Sequence, residues 1–195
     1  MNLKTSSDQE LIEGFMKGEK RCMEILISRH KQKVYSYILI TVKNTHVADD
    51  LFQETFIKVI NSLKAGTYTD KGKFISWVIR IAHNITIDYF RKEKNLNTYS
   101  NDDHEVDLFN NEKFSDENIE DRMVGDQITT DIRNLIEYLP DEQKQIIMMR
   151  HYGGMSFKDI AYQTNVSINT ALGRMRYALI NLRKIIEEKD IVLTR

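Results

Sequence analysis

The sequence predicts an all-α protein: two small helical domains joined by an acidic linker, the second holding a helix-turn-helix. Three observations predict it. The 195 residues include one Pro and eight Gly, and the long segments are rich in Leu, Ile, Lys, Glu and Met, which favour helix. Alternating runs closed by hairpin turns are missing. Apolar residues recur at helical spacing on both sides of a polar stretch that has no period.

Ser7-Asp8-Gln9-Glu10 has the pattern of a capping box and opens a first helix to about Lys17. A second helix is expected from about Glu19 to Lys43, with Ile25, Leu26, Val34, Ile38 and Val42 among its apolar positions. Thr45 and His46 precede a third, carrying Val47, Leu51, Phe52, Thr55, Phe56, Val59 and Leu63. The turn-rich stretch KAGTYTDKG, Lys64 to Gly72, ends it. A fourth helix should run from about Lys73 to Lys92, with Phe74, Trp77, Val78, Ile81, Ile85 and Tyr89 on one side. These make a first domain over 1–94.

The linker, 95–122, is mostly Asn, Asp, Glu and Ser. Between residues 101 and 126 only Lys113 and Arg122 oppose a run of acids, so the near-zero net charge hides basic flanks. Basic ends suit phosphate binding, and an acidic middle suits a solvated connection. The second domain, 123–195, should begin with a helix from Met123 to Leu139. Pro140 opens the next as a first-turn proline, and Gly153-Gly154 stops it. Ser156 caps a short helix to about Thr164, Asn165-Val166-Ser167 turns, and a last helix spans about Ile168–Glu188.

Composition excludes several classes. A lone Cys22 forbids an intrachain disulfide and reads as a small core residue. The N-terminus has no signal-peptide core, and Tyr35–Val42 is too short to cross a bilayer, so a soluble cytoplasmic protein is expected. No HExxH, Gly-rich phosphate loop or GxSxG occurs, so no catalytic set, metal site or cofactor is expected.

Three segments carry the functional signal. The last two helices read SFKDIAYQTNVSINTALGRMRYALINLRK, in which Ile160, Ala161 and Val166 should pack on Ala171, Met175 and Ala178. Ser167 would cap the second of them, leaving Asn169, Thr170, Gly173 and Arg176 near a major groove, with Arg183 and Lys184 on phosphates. The alternative is an ordinary helical pair with a solvated basic face. ADDLFQETFIK, Ala48 to Lys58, is taken alone a solvated helix face. FISWVIRIAHNITIDYFRK interleaves Arg80, His83, Asn84, Asp88, Arg91 and Lys92 with aromatics, which suits single-stranded DNA, although Trp77 and Tyr89 also suit a core.

In this order, and with LPDEQKQIIMMRHYGGMSFKDIAYQTNVSINTALGRMRYAL in the second domain, the chain resembles an RNA polymerase sigma factor of the extracytoplasmic-function group in the sigma-70 family. The resemblance implies core RNA polymerase, through its β′ and β subunits, and promoter DNA as partners, with an anti-sigma factor as a further one. It implies that Asp49, Asp50, Leu51, Gln53, Glu54 and Phe56 dock on the β′ clamp helices. Tyr68, Asp70, Lys71 and Lys73 would capture an extruded base of the −10 element, while Trp77, Arg80, Asn84, Asp88 and Arg91 hold the opened duplex. The last helix, with Ser167, Asn169, Thr170, Leu172, Gly173, Arg174, Arg176, Tyr177, Arg183 and Lys184, would read the −35 element. Leu172 and Tyr177 stand where the family usually has basic residues; Leu can meet a thymine methyl and Tyr a phosphate. The rival readings are a stand-alone helix-turn-helix regulator, which no dimerisation heptad supports, and a recombinase, for which Arg80 and Arg91 make a thin active site.

Overall fold

A computed structural model describes residues 5–69, 72–97 and 135–189 of the chain. Among them every regular element is helical: α1 (Asp8–Met16), α2 (Lys20–Val42), α3 (Thr45–Lys64), α4 (Phe74–Asn97), α5 (Asp141–His151), α6 (Phe157–Gln163) and α7 (Ile168–Glu188). Asp70, Lys71, the acidic stretch and the helix expected from Met123 lie largely outside the described residues; only Leu135–Pro140 of that last region is seen.

Local chemistry explains the boundaries. The Glu10 backbone N–H donates to Ser7 Oγ (3.3 Å) and the Ser7 N–H to Glu10 Oε2 (2.7 Å), a reciprocal box that satisfies two donors at the start of α1. The Ser7 N–H and then the Ser7 hydroxyl (3.0 Å), both donating to the ionised carboxylate, hold the Glu10 carboxyl below its usual range. Lys43 adopts a left-handed conformation (φ 56°) to end α2, and Asn44 then caps α3 by accepting the Val47 N–H (3.1 Å). Thr45 and His46 therefore lie inside the first turn, one step from where the sequence pattern puts the start. α4 continues past Lys92 to Asn97, because Glu93, Lys94 and Asn95 contain no breaker and Lys94 suits the helix C-terminus. Pro140 is the N-cap of α5, its φ of −55° already helical and its missing N–H of no cost there.

α2, α3 and α4 pack on one another around Leu26, Val34, Ile38, Val59, Leu63, Phe74, Val78 and Ala82, all buried. Cys22 is buried in this core too. Asp8 ties α1 down, accepting from Arg29 Nη1 (2.6 Å) and His30 Nε2 (2.8 Å). Burial lowers the His30 pKa in spite of Asp8. The unpartnered, buried Nδ1 agrees, since a cationic ring would strand a second N–H there.

α5, α6 and α7 form a second group, with α7 against both α5 and α6. α5 also touches α2, and one continuous buried cluster runs from Leu11 to Ala171 across both groups. Lys144 explains part of this seam: it is buried and pairs with Glu137 (3.2 Å), whose carboxylate also meets Lys43, the residue that ends α2, at 3.3 Å.

Candidate nucleic-acid interface

The helix-turn-helix is built as the residues dictate. Ser156 Oγ accepts the Asp159 N–H (3.1 Å), and Ser167 Oγ accepts the Thr170 N–H (3.0 Å), so each helix starts on a side-chain cap. Asn165 takes the left-handed turn (φ 53°), a conformation Asn tolerates. Ile160, Ala161, Ala171 and Ala178 are buried between the helices, with Val166 and Met175 packed against the cluster. Ala161 and Ala171 allow the close crossing.

This packing leaves the other side of α7 outward. Asn169, Thr170, Leu172, Arg176 and Tyr177 are exposed; Gly173 and Arg174 are half-exposed. Thr170 Oγ1 bonds Ser167 Oγ (2.8 Å), so part of its hydrogen-bonding capacity is spent on the cap. Arg183 and Lys184 are exposed two turns on, and Lys184 pairs with Glu188 at 3.6 Å. The arrangement can place Asn, Arg and an apolar side chain on base edges at once.

α4 carries the second face. Trp77 is half-buried in an aromatic group, 4.7 Å from Tyr68 and 5.9 Å from Phe74 between ring centroids. Burial raises the Tyr68 phenol pKa, with Asp8 adding to it, so the ring stays neutral. Lys73, Asn84, Asp88 and Arg91 are exposed and Arg80 is half-exposed. Asp88 and Arg91 pair across one turn at 3.4 Å. His83 is not on this face: it is buried, and its Nδ1 meets Tyr37 Oη at 2.9 Å. Burial pushes its pKa down to about 4, so a neutral ring accepts from the phenol, which burial holds protonated.

α3 presents Asp49, Asp50, Gln53 and Glu54 outward. Leu51 and Phe56 stand apart from them, buried at 6% and 5% exposure in the core, where they seat the helix. Asp49 lies near Tyr35, whose phenol is pushed up to about 12 by burial and then by that carboxylate. Ile57, which the pattern did not single out, is 58% exposed, one turn beyond Gln53 and Glu54. With Glu54, Lys58 and Asn61 it lines a shallow groove of about 450 Å³. The signal was its register: Ile57 lies off the apolar stripe of Phe52, Phe56, Val59 and Leu63.

Polar contacts between the two helical groups were illegible. Ser76 Oγ donates to the Gly153 carbonyl (2.6 Å, buried), and Gln163 Nε2 donates to Asn84 Oδ1 (2.6 Å).

Among the described residues no helix is long and apolar enough to cross a membrane, and no group of His, Cys, Asp and Glu is placed to hold a metal ion. Comparison with known proteins agrees with the two-part organisation. Residues 26–96 match the Sigma-70 region 2 family and residues 129–177 the Sigma-70, region 4 family. The chain is 27% identical over 187 residues to the ECF RNA polymerase sigma-E factor of Haemophilus influenzae, covering 94% of this chain and 95% of that one. It is 26% identical over 179 residues to the RNA polymerase sigma-H factor of Pseudomonas aeruginosa, covering 89% and 90%. In fold it is similar to the sigma factor RpoE of Bartonella quintana, solved with the anti-sigma factor NepR (TM-score 0.62, 16% identity, 84% of this chain and 96% of that one). It is also similar to CnrH, solved with the cytosolic domain of CnrY (TM-score 0.60, 18% identity, 94% and 99%). With both regions matched in order and the helix-turn-helix built as described, the chain belongs to the extracytoplasmic-function group of the sigma-70 family of RNA polymerase sigma factors.

Proposed function

We propose that this chain binds core RNA polymerase through the outer face of α3 and directs it to promoters read by α4 and α7. The observation that carries the reading is the pairing of an exposed acid-amide face on α3 with an exposed recognition helix on α7, inside the matched regions 2 and 4. Asp50, Gln53 and Glu54 are the docking contacts, with Asp49 at their edge. Leu51 and Phe56 act from behind, by holding α3 in place. The β′ clamp helices are the surface they meet.

At the −10 element Tyr68 and Trp77 form the aromatic wall against which an extruded base stacks, with Lys73, Arg80 and Arg91 neutralising phosphates; Asp70 and Lys71, between them in sequence, would add to the same contact. Capture of unstacked bases offsets the cost of unpairing, so strand opening is driven by binding alone and the chain breaks no bond itself. At the −35 element Arg176 and Asn169 read base edges, Leu172 meets a thymine methyl, and Arg183 and Lys184 hold the backbone. We place the two reading units at 1–94 and 123–195, joined by 95–122. Polymerase fixes their spacing and so raises the effective concentration of each at its element. The chain acts in the cytoplasm, where polymerase is.

The test is co-purification with bacterial core RNA polymerase, comparing wild type with a Gln53→Ala, Glu54→Ala double variant. Retention of wild type and at least a ~10-fold loss in the variant are expected, since two polar hot-spot contacts are worth over ~1.4 kcal/mol together. A folded wild type that ignores core enzyme would leave a stand-alone helix-turn-helix regulator as the account.

A further inference from the structure

The leading end of α7 is apolar where a DNA-reading helix most often carries charge. Its first six residues, INTALG, contain no cation, and the first exposed arginine, Arg176, comes in the third turn. Ile168 and Leu172 are exposed instead, at 47% and 44%. Spaced by four residues, they share one side of the helix and fall in line with Arg176. Packing sets that side: Ala171 and Ala178 are buried where α7 meets α5 and α6, which turns Ile168 and Leu172 outward. Gly173 adds no bulk beside them. A Cβ there would meet nothing within 4 Å, and its backbone is ordinary helix, so neither packing nor conformation calls for glycine. The missing side chain leaves room on the outer surface for a close approach to another molecule.

An apolar pair in a major groove is selective. Guanine, adenine and cytosine present only acceptors and amines there; thymine alone adds a C5-methyl group. A leucine pressed on the other three edges strips water from polar atoms and returns no hydrogen bond. Against a thymine methyl it buries apolar surface on both partners. The spacing suits two bases. Side chains at i and i+4 stand about 5–6 Å apart. Bases of one strand follow each other by about 3.4 Å along the duplex axis, so a helix inclined in the groove sets the two side chains over neighbouring methyls. Asn169, exposed in the same turn as Ile168, suits an adenine of the same A·T step.

We propose that Ile168 and Leu172 are a methyl-reading pair, which makes two neighbouring 5-methylpyrimidines, thymine or 5-methylcytosine, a requirement of the −35 element. The proposal deepens the assignment of α7 to that element and rests on it. It gives Leu172 a partner and places the two methyls next to the base read by Arg176, along one line of the helix. It also makes recognition sensitive to cytosine methylation, because a 5-methyl group on cytosine occupies the same place in the groove. Leu179 is exposed on the same side, at 48%, but lies about 16 Å further along the axis, beyond the two bases.

Removal of single methyl groups tests the pair. Holoenzyme assembled from core RNA polymerase and the full-length chain first selects its element from a library of randomised duplexes. Two adjacent thymines on one strand of the −35 element should emerge, and a selected element without them overturns the proposal. Deoxyuridine in place of either thymine removes the methyl and nothing else; it should weaken wild-type binding about four-fold, the worth of one buried methyl-sized group. Cytosine there should bind worse still, and 5-methylcytosine should recover part of the loss. Leu172→Ala should lose the deoxyuridine penalty at one thymine and Ile168→Ala at the other. Both positions are exposed, so the fold survives the substitutions, and Leu179→Ala should keep both penalties. Wild-type binding indifferent to the methyls overturns the pair, as do penalties that persist in Ile168→Ala and Leu172→Ala. Variants that weaken every duplex alike, or that lose core polymerase, assign the apolar side to a protein partner and overturn it too. Failure of the sigma-factor reading looks different: core polymerase does not co-purify with wild type. The same selection and methyl removal on the chain alone then decide the pair.

Discussion

His83 shows how one residue changes meaning with its surroundings. On the sequence it sits in a basic and aromatic run that suits DNA; in the fold it is sealed under α2 on Tyr37. Its pKa, lowered to about 4 by burial, makes it a stability group. An unfolded histidine protonates near pH 6.5, so the stabilisation is present above that value and is lost as pH falls towards 4. The full span is worth about 3 kcal/mol by linkage. Denaturant titrations should show wild type losing stability between pH 6.5 and 4.5, and a His83→Gln variant, which accepts from Tyr37 but does not titrate, losing clearly less over that window. Phe56 and Gln53 make the complementary contrast three residues apart. Phe56→Ala should cost about 3–5 kcal/mol of stability through the cavity it leaves, whereas Gln53→Ala should stay within about 0.5 kcal/mol and be felt only in polymerase binding. Thermal melts of both variants separate the two roles.

At the scale of the element, α7 is the proposed recognition helix and Gly173 its most telling position. A Cβ there would meet nothing within 4 Å, and the residue lies in a helix interior. Gly173→Ala should therefore raise stability by about 0.5–1 kcal/mol. The same methyl projects from the face proposed to approach DNA, so promoter binding by holoenzyme should weaken; a variant that is both more stable and fully active would move the DNA face elsewhere on the helix. Arg176→Ala should cost about 1–3 kcal/mol of discrimination at one base position, seen as relaxed specificity when substituted promoters are compared. Arg183→Ala should instead weaken all promoters alike and lower the salt dependence, as loss of a phosphate contact does. α1 adds a local case: its reciprocal Ser7–Glu10 box was legible in four letters, because capping depends on neighbours in sequence.

The whole molecule is decided at the seam between the helical groups. Gly153 lies at that seam with no room for a side chain: a Cβ would lie 2.7 Å from the carbonyl of Met149 in its own group and 3.2 Å from Ile79 of α4. Gly153→Ala should therefore destabilise by about 1–3 kcal/mol through overpacking, and calorimetry would show it as a lowered Tm.

Periodicity, caps and breakers act over a few residues, so the sequence by itself determined the all-helical class, the start and end of α7, the turn at Asn165 and the family. It also marked the outward side of α7, because the buried stripe Ala171–Met175–Ala178 leaves only one. What only the tertiary structure decided was which polar residues meet across long separations: Ser76 with Gly153, Asn84 with Gln163, Lys43 and Lys144 with Glu137. It also placed Leu51 and Phe56, which the resemblance assigns to docking, inside the core, as their helical spacing had suggested. The reason is physical. A helix face is apolar or polar on its own evidence, but whether it is covered depends on a partner surface that no local pattern encodes.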